Sequence, residues 1–261
     1  MKKVLINPRY ADSKSLQDYI EKLPAAFLEG GTLLWGGRNK IKSYAVEPAL
    51  ADGVIVVKRF KRPNAIQALG YLFRAHKARK AYLNGMQLVE RGVQTPVPVA
   101  CVEIKNGPWL QDAYYICGAT SLPCIEGQTD RDDWNKELAS AFAKYAATLH
   151  NRGVLHHDLN DTNVLYSAAA DGGYDFTVID INRMAFYADG AQIPVKECIE
   201  NLTRFTGRID LFEYVARVYA EARGLDVEPF AQKAVAQKLR HDRNWYRRKR
   251  FGRIFKRKKK N

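Results

Sequence analysis

His156-His157-Asp158-Leu159-Asn160-Asp161-Thr162-Asn163, with Asp180 seventeen residues further on, is the stretch of this chain that decides its fold. Asp158 and Asn163 are five positions apart, a spacing that a short loop spans while aiming both side chains into one cleft. A strand from Val164 and a second one ending at Ile179 are expected to set Asp180 beside them. The residue types suit phosphoryl transfer: one carboxylate accepts a hydroxyl proton, while an amide oxygen and a second carboxylate offer hard oxygen ligands to magnesium. Asp and Asn also populate ordinary surface turns. The chemical reading is preferred because a long helix and His156 precede the loop, and a strand pair ending in Asp180 follows it.

Upstream of the loop, Trp134, Leu138, Phe142, Tyr145 and Leu149 recur at helical spacing, with Gly153 as the stop. Asp171-Gly172-Gly173 marks the turn between the strands Val164–Tyr166 and Phe176–Ile179. From Lys196 to about Leu239 two or three helices are expected, interrupted at Gly207 and Gly224. Nearer the amino terminus, Thr32–Trp35, Ile41–Val46 and Val54–Phe60 are β-branched and aromatic runs with short turns, which predicts an antiparallel meander. Ala65 to Val89 predicts one helix or a pair ending at Gly92. Val97–Ile104 and Trp109–Ile116 predict a hairpin across Lys105-Asn106-Gly107. Residues 1–24 hold one short helical pattern ended by Pro24.

The loop and Asp180 resemble the H-R-D-L-x-x-x-N and D-F-G motifs of protein kinases. Val54-Ile55-Val56-Val57-Lys58 resembles the kinase V-A-I-K strand, and in that context Lys58 is the phosphate contact. Gly36, Gly37 and Arg38 occupy the place of the glycine-rich loop without its G-x-G-x-x-G pattern. Two features depart from ordinary protein kinases. Glu90 is the one acidic residue between Lys58 and Gly92, so no helix glutamate is placed to pair with Lys58, and Ala81 stands where it would align. His157 replaces the arginine of H-R-D and no A-P-E follows, which argues against control by activation-loop phosphorylation.

Asp158-Leu159-Asn160, Ile179-Asp180-Ile181-Asn182-Arg183 and Gly92-Val93-Gln94-Thr95-Pro96-Val97-Pro98 together resemble the lipopolysaccharide core kinase family, which includes Kdo kinases and heptose kinases. The resemblance runs from about Gly36 to Phe205. It implies transfer of the ATP γ-phosphate to a sugar of the lipid A inner core, Kdo (3-deoxy-D-manno-octulosonic acid) being the expected acceptor. Asp158 is then the catalytic base, Asn163 and Asp180 the Mg2+ ligands, Lys58 the phosphate contact and Arg183 a contact for an anionic group. Tyr114 to Gly118 is expected to offer main-chain contacts to adenine.

The chain has 261 residues, 46% of them hydrophobic, enough to bury a full core. Its formal charge is +14, and the segment from Lys238 to Asn261 carries thirteen Lys or Arg against one Asp. Only about +2 is left for the rest, which reads as a basic tail rather than a basic surface. Trp245, Phe251, Ile254 and Phe255 fall on one side of a helix among those cations, a pattern attracted to anionic membrane surfaces. Cys101, Cys117, Cys124 and Cys198 have neither C-x-x-C nor zinc spacing and are expected as reduced, mostly buried thiols. With neither a signal peptide nor a stretch of membrane-spanning length, the protein is expected in the cytoplasm, peripheral on the inner face of the inner membrane.

The expected class is α+β, a two-lobed protein-kinase-like fold with a five-stranded antiparallel N-lobe and a mainly helical C-lobe. Its expected parts are an amino-terminal extension (1–24), the N-lobe (25–117), the C-lobe (118–237) and a basic amphipathic tail (238–261). Two alternatives stay open. One is an atypical protein kinase or ATPase associated with RNA, whose tail binds phosphate backbone. The other is a pseudokinase that docks to membrane or nucleic acid, which the joint presence of Asp158, Asn163 and Asp180 disfavours.

Overall fold

A computed structural model describes all residues except 130, 171, 189 and 258–261, with side chains through residue 249, and the chain divides into two units. Unit 1 is Met1–Ser121 with Thr177–Arg183; unit 2 is Leu122–Phe176 with Met184–Asn261.

Unit 1 holds β1 (Lys2–Ile6), α1 (Lys14–Lys22), α2 (Ala25–Glu29), β2 (Thr32–Trp35), β3 (Lys40–Ala45), β4 (Val54–Arg59), α3 (Ala65–Gly70), α4 (Lys77–Glu90), β5 (Pro98–Asn106) and β6 (Trp109–Gly118). Its strands form one antiparallel sheet in the order β1-β5-β6-β4-β3-β2. The sheet has six strands rather than the expected five, because Lys2–Ile6 pairs along β5 from Lys2↔Ile104 to Ile6↔Ala100. A β5 edge left open would expose unpaired backbone groups, and the short run Val4-Leu5-Ile6 covers it.

Residues 1–24, expected as an extension, are built into this unit. Ser13 caps α1, accepting from the Leu16 N–H at 3.2 Å. Leu16 and Ile20 are then buried with Phe27, Ile55 and Tyr114 in one core. The run 65–89 resolves into a pair of helices. Asn64 and Gln67 form a capping box on α3, and His76 Nδ1 accepts from the Ala78 N–H at 3.2 Å to start α4 afresh. His76 is buried edge-on against Phe60 and Tyr71, which fixes the turn between the helices.

α4 packs on β5 and β6. Gly85 allows this approach: a Cβ there would lie 2.6 Å from Pro98 Cγ and 3.1 Å from Ile181 Cδ1.

Unit 2 holds α5 (Glu126–Thr129), α6 (Lys136–Asn151), β7 (Val154–His156), β8 (Val164–Ala168), β9 (Tyr174–Val178, its last two residues counted in unit 1), β10 (Met184–Phe186), α7 (Val195–Leu202), α8 (Ile209–Ala222) and α9 (Val227–Arg257). Asn135 caps α6, accepting from the Leu138 N–H at 3.0 Å, so Trp134 stands outside the helix and donates its indole N–H to Asp210. α6 packs on α8 and α8 on α9. Phe142 of α6 stacks on Phe205 with ring centroids 4.0 Å apart. Two small ladders complete the unit, β7 with β10 and β8 with β9.

Gly207 and Gly224 fall between helices as expected, but α9 passes position 238 without a break. Lys238 is buried and pairs with Asp242 at 2.8 Å, so it belongs to the packed part of unit 2. Farther along α9, Trp245 is about half exposed and the Lys249 ammonium lies 4.3 Å from its ring centroid. Phe251, Ile254 and Phe255, expected to extend that apolar stripe, lie outside the described side chains; Asp171 of the expected turn lies outside the described residues. Among the described residues no helix is long and apolar enough to cross a membrane.

Replacing Gly85 by Ala is expected to destabilise the protein by about 1–3 kcal/mol through overpacking against Pro98 and Ile181. Urea unfolding measures this, and an unchanged midpoint would show that α4 has room to withdraw.

Candidate active site

In unit 1, β4 carries Lys58 at the register position opposite Tyr115 of β6. Its Nζ lies 2.5 Å from Asp180 Oδ1, a salt bridge between side chains 17% and 37% exposed. Asp180 is thus the carboxylate partner that the sequence left unassigned, and Ala81, where a helix glutamate would align, is buried.

The segment bearing Asp180 is anchored to unit 1 on both sides. The Val178 N–H donates to the Gln94 carbonyl at 3.0 Å, the Thr95 hydroxyl to the Val178 carbonyl at 2.8 Å, and Asn84 Nδ2 to the Ile181 carbonyl at 2.6 Å. Between these anchors Asp180 has φ +52°, a left-handed conformation that non-glycine residues adopt at a cost. Asn182 Nδ2 donates to the same Oδ1 at 2.6 Å.

Cations gather around this carboxylate. Burial lowers the basicity of Lys77, the first residue of α4, and repulsion from Arg38, Arg183 and Lys58 lowers it further, while Asp180 opposes them. Arg38 and Lys77 line one small polar cleft of about 30 Å³ with Asn39, Lys61 and Gln67. Gly36 and Gly37 form the β2–β3 turn, where Trp35 folds back so closely that a Cβ on Gly37 would meet its Nε1 at 2.5 Å. In the segment expected to contact adenine, the N–H groups of Gly118 and of Ala119 just beyond it are already bonded to the Val97 and Val54 carbonyls.

In unit 2, β7 delivers His156 into the core, where Met184 of β10 faces it across the ladder. The Asp158 N–H donates to His156 Nδ1 at 3.1 Å and the Leu159 N–H to the His156 carbonyl at 3.0 Å, which folds the chain sharply after β7. Leu159 is fully buried and pins the loop from below. Asn163 Nδ2 donates to the Asp158 carbonyl at 2.9 Å. That bond fixes the orientation of the amide, and Oδ1 remains as its acceptor atom. Arg204, just beyond α7, brings Nη1 within 3.6 Å of Asp158 Oδ1, with side chains 41% and 27% exposed.

A buried polar chain holds the loop from behind. Asn201 Nδ2 donates to the His156 carbonyl at 2.5 Å, and Asn201 Oδ1 faces His150 Nε2 at 2.9 Å. Nε2 therefore carries the proton, and Nδ1 accepts from the Tyr219 hydroxyl at 2.6 Å. Arg223 Nη1 donates to the same hydroxyl at 3.1 Å. Burial lowers His150 to about 4, so its ring is neutral at physiological pH.

The structure therefore brings Lys58 to Asp180 within unit 1, and Asp158 to Asn163 within unit 2. Arg204, Lys77 and the His150–Asn201 chain had no sequence signal, since each is a polar residue on a helix or turn whose neighbours only the fold supplies; Asn182 stood in the Ile179–Arg183 motif without a role assigned to it. Among the described residues no cluster of three or more His, Cys, Asp or Glu could hold a metal ion. A magnesium ion that shares phosphate oxygens and keeps its own waters needs fewer protein ligands, and the Asp180 carboxylate and the Asn163 amide oxygen are of the right chemical type.

Fold and local geometry define a protein-kinase-like α+β protein. WaaP, solved in complex with acyl carrier protein, superposes with a TM-score of 0.60 at 17% identity, covering 94% of this chain and 99% of that one. The Rio2 kinase of Chaetomium thermophilum, solved as its ADP/Mg2+ phosphoaspartate complex, gives a TM-score of 0.47 at 16% identity, over 88% of this chain and 75% of that one. No curated protein sequence matches the chain. Residues 77–206, which include Asp158, Asn163 and Asp180, match the model of the lipopolysaccharide kinase (Kdo/WaaP) family. The chain belongs to that family and is a phosphotransferase acting on a hydroxyl of the lipopolysaccharide core. Lys58 and the Gly36-Gly37-Arg38 turn precede the matched span.

The neutral buried histidines set a pH dependence. His76 and His150 are both lowered to about 4 by burial. Below their ordinary value the unfolded chain takes up protons that the folded chain refuses. Stability is therefore complete above pH 6.5 and falls as pH drops towards 4, by up to about 3 kcal/mol per histidine. Urea titrations between pH 7 and 4.5 measure the slope, and His150→Gln is expected to remove its share; a flat profile would mean that the two rings are not buried neutral.

Proposed function

We propose that this chain is an ATP- and Mg2+-dependent kinase whose acceptor is the acidic sugar Kdo of the lipid A inner core. In this reading Asp158 accepts the proton of the acceptor hydroxyl as its oxygen bonds to the γ-phosphorus. The bond from that phosphorus to the β–γ bridging oxygen breaks, and ADP departs. Lys58 holds the α and β phosphates, and Asn163 and Asp180 are the metal ligands. The metal, when bound, neutralises charge on the phosphates.

The observation that carries the choice of acceptor is Arg204 at 3.6 Å from Asp158. A guanidinium beside the base gives a charged hydrogen-bonding partner to the carboxylate of an acidic sugar, which a neutral sugar lacks. The membrane-borne acceptor also fits the basic end of α9, where each Lys or Arg near an anionic surface contributes about 1 kcal/mol at moderate salt. Under this proposal the enzyme works at the cytoplasmic face of the inner membrane.

Transfer of labelled γ-phosphate to a Kdo-bearing lipid A precursor, with the product located by mass spectrometry, tests the proposal. Asp158→Ala is expected to lower turnover by about 10² to 10⁴ while ATP still binds. Asp180→Asn should abolish Mg2+-dependent transfer. Arg204→Gln should raise the acceptor KM with little change for ATP. Label on a neutral core sugar would reject Kdo and leave the kinase; wild-type turnover in both aspartate variants would reject the site.

A further inference from the structure

We propose that the face of unit 1 formed by α3 and the turn after it is a second membrane-docking surface, one that takes an anionic lipid bilayer. This inference rests neither on phosphoryl transfer nor on the basic end of α9.

α3 is a formed and capped helix that buries none of its residues. Ile66 is 84% exposed, Leu69 55% and, one turn on, Phe73 88%. Ile66 and Leu69 are i and i+3 on one side of α3, and Phe73 stands out from the turn that follows the helix. The segment is not loose chain: the capping box closes its start, and Tyr71 packs on buried His76 at its end. Three large apolar side chains are thus held out to water on a fixed support.

The surroundings are cationic. Exposed Arg74 and Arg79 line a cavity with Phe73, exposed Lys61 and Arg62 line a cleft with Gln67 and Tyr71, and no acidic residue occurs from Lys58 through Val89. The carboxylates that pack near this face, Asp112 and Glu103, are 3% and 5% exposed. Asp112 is engaged by Arg59 and Arg62, and Glu103 lies by Lys105. Buried acids under exposed bases leave a positive outer face.

Apolar tips ringed by Lys and Arg match the depth profile of a bilayer interface, with hydrocarbon below and anionic headgroups at the rim. A second copy of the chain fits poorly. Three side chains fall far short of the roughly 1,600 Å² that a standard protein interface buries, and the two cationic rims would repel.

The test uses the full chain and vesicles of phosphatidylcholine with about 30% phosphatidylglycerol, a mimic of an anionic leaflet. The triple variant Ile66→Ser, Leu69→Ser, Phe73→Ser should partition onto them about tenfold more weakly than wild type, with an unchanged melting temperature. Phe73→Trp should show quenching by brominated lipid beyond that of the native tryptophans, and should lose it when phosphatidylglycerol is omitted. Wild-type partitioning of the triple variant, or no added quenching in Phe73→Trp on anionic vesicles, overturns the proposal. So does an acidic soluble protein that protects this face while the vesicles do not. Turnover with a soluble acceptor reports on catalysis separately, so loss of docking with catalysis intact, or the converse, tells which reading has failed.

Discussion

The ion pair of Lys58 with Asp180 is the constraint around which unit 1 is arranged. A lysine at the end of an apolar strand needs a carboxylate, and that carboxylate comes from residues 177–183, a short stretch that returns to the sheet after the chain has left it at Ser121. Such a return is entropically costly unless the segment is held, and fixing each residue costs about 1–2 kcal/mol. Gln94, Thr95 and Asn84 hold it with three hydrogen bonds, and Gly85 makes room for Ile181. The positive φ at Asp180 survives because Val178 before it and Ile181 after it are tied down, so the strained residue is the one aimed at the lysine.

The same pair explains how a kinase-like sheet manages without an acidic residue on α4 to meet its lysine. Ala81 is buried where that acid would stand, and α4 opens with a cation, Lys77. Asp180 consequently lies among Lys58, Lys77, Arg38 and Arg183, and the basicity of Lys77, lowered first by burial, is lowered further by the other three cations. An excess of positive charge on a partly buried surface is relieved by an anion carrying several charges. A nucleotide triphosphate has that character. Under the proposed reading, Lys58 would hold phosphate oxygens and Asp180 would hold the metal, and the salt bridge between them would keep both groups in place when neither is bound.

Much of this is legible from residue order. The loop from His156 to Asn163, the strand of Lys58 and the helix break at Gly224 follow from local patterns: turn chemistry, β-branched runs and helical spacing. What escapes is either too short or too distant. β7 and β10 have three residues each, less than any periodicity can reveal. β1 carries no signal of its own, because Val4-Leu5-Ile6 gains meaning only from the open edge of β5, about a hundred residues later. The support of the loop from His156 to Asn163 by His150, Asn201 and Tyr219 joins three helices, and no single window of sequence contains it. The partner of Lys58 is hidden for the same reason, being 122 positions away.

Charge is the property that the linear sum misrepresents. Most of the +14 does sit from Lys238 onward, and the remainder is close to neutral, yet a near-zero sum over so many residues says little about any one face. Exposed charges act over roughly 8–10 Å at physiological salt, so only groups within that reach cancel. Around α3 the acids that balance the sum are absent from the sequence neighbourhood, and those brought near by β5 and β6 are buried against their own partners. Burial removes them from the surface account while the lysines and arginines stay in it. A basic face therefore arises on a unit whose composition is nearly balanced, because the fold sorts its charges by depth as well as by sign. Lys238 shows the reverse: counted with the tail, it is withdrawn by Asp242 and the ring of Phe212 into the packed interior of unit 2, where it contributes nothing to the outer field.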